Sequence, residues 1–148
     1  MRINISTPLE APADLVWELL GKSQTLRYVA EPLLCFEGDL PERWPGPRDG
    51  IVRVERMLFF CVIPAWSHEL RMVRFDEDSR EILTNEQGGP VKVWNHRIKV
   101  DPLSEKRCLY TDELELDAGA LTPFIWLFAH LFYRYRQMRW RSLAKVLG

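Results

Sequence analysis

AGALTPFIWLFAHLFYRYRQMRWRSLAKVLG, residues 118–148, is the stretch whose reading decides the fold. Thr122 and Pro123 stand where a helix N-cap and a first-turn residue belong, and neither Pro nor Gly recurs before the final Gly148. At the α-helical angle Leu121, Phe124, Ile125, Phe128, Phe132, Tyr135, Leu143 and Val146 share one face. Arg134, Arg141 and Lys145 fall on the other. A helix of about 25 residues, at ~1.5 Å per residue, is roughly 40 Å long and needs a broad partner. Its Phe-rich first half is expected to meet that partner, and its Arg-rich second half to run over the edge into solvent.

The partner lies upstream. From Ile51 the chain alternates apolar and polar residues in runs broken by short turn signals, among them Gly88-Gly89-Pro90. The pattern predicts strands over Ile51–Ile63, Trp66–Phe75, Glu81–Gln87, Val91–Val100 and Arg107–Leu116, paired antiparallel in succession. No strand–helix–strand rhythm favours a parallel sheet. Before this meander come a strand at Arg2–Thr7, a helix at Ala13–Leu20 closed by Gly21, a helix at Gln24–Val29 stopped ahead of Pro32, and a strand at Leu33–Glu37. Gly38–Gly50, punctuated by prolines and glycines, is a long loop that serves as a lid or as a plain connection.

Composition bounds the function. The 148 residues, 47% hydrophobic and 28% charged, suit one soluble domain spanning 1–148. A net charge of −1 offers no electrostatic footprint for a nucleic acid. Cys35, Cys61 and Cys108 are odd in number and lack metal-ligand spacing, so free buried thiols are expected rather than a disulfide or a zinc site. With no signal-peptide core and no apolar run near the ~20 residues of a membrane span, a cytoplasmic location is expected. The sequence contains no GxSxG, P-loop, HExxH or GxGxxG pattern, and neither a cofactor nor a metal is expected.

Separating the strand faces exposes polar anomalies. Trp66, Leu70 and Met72 share a face with His68; Trp94, Ile98 and Val100 share one with His96; Cys108, Tyr110, Leu114 and Leu116 share one with Asp112. Burying such a polar group alone costs about 2–7 kcal/mol. His96 and Asp112 stand on successive strands, so a hydrogen-bonded pair would satisfy both, either as a structural tie or as an acid–base pair facing a ligand. His68 reads as a satisfied core or rim histidine. On the helix, Arg139 interrupts the apolar stripe between Tyr135 and Leu143; it snorkels to solvent or anchors an anionic head group. Arg134, Arg136, Arg141 and Lys145, with Trp126 and Trp140 nearby, leave a peripheral membrane contact as a further reading.

The order of elements, with WNHRIKV at Trp94–Val100, YTDEL at Tyr110–Leu114, AGAL at Ala118–Leu121 and APADLVW at Ala11–Trp17, resembles the helix-grip or START-like superfamily (SRPBCC), in its polyketide cyclase/dehydrase and lipid-transport-like branch. That resemblance implies an α+β fold in which a curved antiparallel sheet of about seven strands, in β-α-α-β6-α order, grips the long helix around an apolar cavity. Phe124, Phe128, Phe132 and Tyr135 would form one wall, with Trp66, Leu70, Trp94 and Ile98 opposite, and the two short helices and the Gly38–Gly50 loop at the entrance. The expected function is binding or transport of a hydrophobic small molecule, a lipid, polyketide or aromatic compound. The alternative is a cyclase, dehydratase or hydrolase using His96 and Asp112.

Overall fold

The computed structural model describes every residue except Asp49, which falls within the Gly38–Gly50 loop. The chain runs β1 (Arg2–Leu9), α1 (Ala13–Leu20), α2 (Ser23–Ala30), β2 (Leu34–Glu37), β3 (Ile51–Val54), β4 (Arg56–Phe59), β5 (Ile63–Pro64), β6 (His68–Asp76), β7 (Glu81–Gly88), β8 (Val91–Ser104), β9 (Arg107–Asp117), a 3-10 turn (Gly119–Leu121) and α3 (Thr122–Leu147). Six strands form one antiparallel sheet in the order β1-β9-β8-β7-β6-β3, and β2-β4-β5 form a second. The first strand pairs with the last, Ile5 opposite Asp112, which leaves β1 and β3 as the edges of the sheet.

The α+β architecture and the gripped helix are as expected; the strand count is larger. The alternating run from Ile51 to Ile63 is not one strand but three. Val52, Val54 and Met57 are all buried, and the step of three between the last two cannot keep one face of a continuous strand. Sequence alternation conceals this parity change. β3 stays in the large sheet beside β6, while β4 turns away to pair with β2, Phe59 opposite Leu34. Phe60 and Cys61 then adopt φ of 53° and 60°, reversing the chain into β5.

That reversal overturns a second expectation. Cys61 is carried back to Cys35 on β2, the Cα atoms 5.0 Å apart, and the two are joined by a disulfide. Only Cys108 is a free buried thiol, its pKa pushed up to about 11 by burial. The pairing depends on the β2–β4 register, which spacing alone does not disclose. No helix of the described residues is long and apolar enough to cross a membrane.

The long helix is 26 residues, with Pro in its first turn, and it presents a different face from the one expected. Its buried residues are Ala129, Phe132, Tyr133, Arg136, Gln137, Trp140 and Ala144. Phe124 is 74% exposed and Val146 81%. Polar Arg136 and Gln137 mask the true inward stripe in the sequence, and exposed apolar residues supply a false one. The second half of α3 is therefore not solvated as expected, because Gln137, Trp140 and Ala144 pack inward. Buried Arg136 and Trp140 likewise cannot form the membrane-facing surface assigned to them.

Candidate functional site

Between the concave face of the large sheet and α3 lies a cavity of about 430 Å³. Its lining is overwhelmingly apolar. Phe128 and Phe132 stack in parallel along α3, ring centres 5.9 Å apart, and Phe59 from β4 meets Phe128 edge-on at 5.1 Å. Trp66 sits over the β7–β8 turn, where Gly88 and Gly89 leave room: a Cβ on Gly89 would come within 2.6 Å of the indole ring. The lining residues that are also exposed are Phe60, Ile63 and Phe124, so the cavity opens between the β4–β5 turn and the start of α3. The expected entrance at the short helices is thus corrected. α1, α2 and the Gly38–Gly50 loop supply wall residues that are at least partly buried, including Leu20, Val29 and Trp44. The loop is tied down there by Trp44 N–H donating to the Gly21 carbonyl at 3.0 Å and Ser23 N–H to that of Glu42 at 3.1 Å.

Of the candidate residues, Trp66, His68, Leu70, Trp94, His96, Ile98, Phe124, Phe128 and Phe132 line this space. Tyr110, Asp112, Tyr135 and Arg139 do not. Tyr110 and Asp112 lie behind the wall, with Tyr110 packed against Trp140 at 5.3 Å between ring centres. Tyr135 donates its hydroxyl to the Glu31 carbonyl at 2.7 Å, fastening α3 to the end of α2. Arg139 points the same way: its guanidinium lies 4.0 Å from the centre of the Tyr28 ring and donates to the Tyr28 carbonyl at 3.1 and 3.2 Å. The rotation of α3 that brings Tyr133 and Arg136 inward carries Tyr135 and Arg139 to the α2 side.

Two histidine–carboxylate pairs hold the polar end of the site. His96 Nε2 lies 2.8 Å from Asp112 Oδ1, which also accepts from Tyr110 at 3.3 Å; Asp112 Oδ2 accepts from Gln137 at 3.1 Å. Burial works against this carboxylate, yet the His96 hydrogen bond and the nearby Arg136 charge hold its pKa below the ordinary value. An ionised Asp112 accepts from Nε2, so in the neutral ring Nδ1 carries the lone pair, and the Tyr133 hydroxyl stands 3.4 Å from it. Burial drives the Tyr133 phenol pKa well up, so it stays protonated. On the neighbouring strands His68 Nε2 meets Glu86 Oε2 at 2.8 Å, and Thr84 donates to Glu86 Oε1 at 2.8 Å. Burial again opposes ionisation of Glu86, but the His68 hydrogen bond and charge outweigh it.

Alternation could not nominate Tyr133, Arg136 and Trp140, which line the cavity from α3, since all three lay off the apparent apolar stripe. Thr84 and Glu86 on β7 were equally missed. Their signal was present in parity: with Ile82, they occupy alternate positions on one face of β7.

No family model matches the chain, and no curated protein matches it by sequence. Solved structures do. A START superfamily protein from Mycobacterium smegmatis is similar with a TM-score of 0.69 at 12% identity, covering 99% of this chain and 99% of that one. The Zhui aromatase/cyclase of a Streptomyces species is similar with a TM-score of 0.66 at 14% identity, over 98% and 93% of the two chains. Norcoclaurine synthase from Thalictrum flavum, solved with dopamine and hydroxybenzaldehyde, gives 0.69 at 15% identity over 97% and 85%. The order of elements, the sheet wrapped on α3 and these likenesses together establish that the chain has the START-like helix-grip fold.

Proposed function

We propose that the protein binds and carries a hydrophobic small molecule in the cavity between sheet and α3. The observation that carries this reading is the cavity itself: about 430 Å³, walled by aromatic and aliphatic side chains with a few fixed polar groups. That is the ordinary build of a small-molecule site. The fold is shared with a START superfamily protein and an aromatase/cyclase, which supports the same class of guest. Titration with the neutral fluorophore N-phenyl-naphthylamine tests it. Saturable one-to-one binding is expected, weakened at least about tenfold by Leu70→Trp, which fills the cavity from its sheet wall. Non-saturable fluorescence, or indifference to the filling substitution, would exclude the reading.

A second reading is a cyclase, dehydratase or hydrolase that uses His96 and Asp112. Their 2.8 Å contact favours it, because Asp112 fixes the orientation and tautomer of the imidazole. Both ring nitrogens of His96 have partners, so a proton leaving a substrate would pass through the Tyr133 hydroxyl to Nδ1. Turnover of aryl esters or β-keto thioesters by the wild type and not by His96→Asn supports this reading; equal rates in both remove it.

A further inference from the structure

Two side chains on α3 are buried in a way that a purely apolar guest would not complete. Arg136 is 5% exposed and Trp140 1%. They stand one helical turn apart and both line the cavity. Arg136 Nε and Trp140 Nε1 are each sealed from solvent without a hydrogen-bond partner, and among the described residues Arg136 makes no ion pair within 4.0 Å. The guanidinium stays charged: burial opposes the charge, but a guanidinium is a very weak acid and the Asp112 and Glu86 carboxylates favour its cationic form. Its close neighbour is the Tyr133 ring, 5.0 Å from the guanidinium carbon, which is attractive to a cation but accepts no hydrogen bond in the plane of the fork.

The nearby carboxylates do not fill this gap. Both oxygens of Asp112 and both of Glu86 already accept from other side chains. The inner end of the cavity therefore carries a cationic fork and an indole N–H in need of acceptors, beneath a long apolar wall. A buried donor left unmet costs about 1–3 kcal/mol, more when charged. We infer that the guest is an amphipathic anion, an apolar body ending in a carboxylate or comparable acidic oxygen group, and that Arg136, assisted by Trp140, receives that end. This rests on the ligand-binding reading above and deepens it by assigning the guest's charge. It also moves the anionic anchor from Arg139, which faces Tyr28, to Arg136, three residues earlier, which lines the cavity.

The test uses the full chain with N-phenyl-naphthylamine bound as a neutral reporter, displaced at neutral pH by naphthoate or by its uncharged isostere naphthamide. Naphthoate is expected to displace the reporter about ten- to a hundredfold better, the margin of a charge-assisted bidentate contact. Arg136→Met, similar in volume and uncharged, should erase that preference, read as the ratio of the two competitors' displacement within the variant; Arg136→Lys should restore part of it. Trp140→Phe should narrow the same naphthoate-over-naphthamide ratio by a few-fold. Equal displacement by the two competitors in the wild type overturns the proposal and leaves the apolar-cavity reading standing. Failure of the reporter itself to bind overturns both. The wild-type comparison needs no variant to fold.

Discussion

The two histidine–carboxylate pairs look alike and are built into the molecule differently. Each has a histidine Nε2 at 2.8 Å from a carboxylate oxygen, and each histidine lines the cavity. The Glu86 side chain is 13% exposed and takes both its donors, His68 and Thr84, from the large sheet. Asp112 is 1% exposed and takes a third donor, Gln137, from α3, and Gln137 also donates to the Ile5 carbonyl at 2.9 Å. One pair stitches neighbouring strands; the other fastens the helix to the sheet. Identical chemistry thus carries different structural weight according to what else reaches the carboxylate.

Substitution would break this contrast most sharply at Asp112. Asp112→Ala leaves His96 and Tyr110 without their acceptor and takes one of two from Gln137, and is expected to destabilise the fold by about 3–5 kcal/mol, measured by guanidinium unfolding. Glu86→Gln keeps an acceptor for Thr84 and should cost less, about 1–3 kcal/mol, in the same measurement. Equal losses at the two sites would dissolve the distinction.

Acid should sharpen it. Both carboxylates titrate below their ordinary values of 3.8 for Asp and 4.5 for Glu in the folded chain. Their stabilisation is therefore complete above those values and is lost as the pH falls through the lower folded ones. Stability is expected to fall as the pH drops below those ordinary values, and Asp112→Asn should flatten that part of the stability profile more than Glu86→Gln. Smallest of all, Arg139→Ala removes a partly exposed stacking contact on Tyr28. It should cost about 0.5–1 kcal/mol and leave reporter affinity unchanged, in contrast to Leu70→Trp at the cavity wall.

Much of this site was legible from alternation. The faces bearing His68, His96 and Asp112 read directly from parity, because a half-buried strand writes its inside and outside every second residue. His96 and Asp112 fell on successive strands, and a buried carboxylate demands a donor, so their contact followed from physical need. α3 was legible in existence and length but not in rotation. Arg136 and Gln137 sit on its buried face because Asp112, the Ile5 carbonyl and the cavity give them places, and none of these is visible in a helical wheel.

What the chain alone determined was the kind of each element and the order in which elements follow: local periodicity, turn residues and caps act within a few residues of one another. Tertiary structure decided the breaking of Ile51–Ile63 into three strands, the joining of Cys35 to Cys61, and the face that α3 turns inward. Each depends on a partner distant in sequence. Burial and hydrogen bonding are settled only when that partner arrives, and the unmet donors of Arg136 and Trp140 mark the place where, on our inference, the last partner is not protein at all.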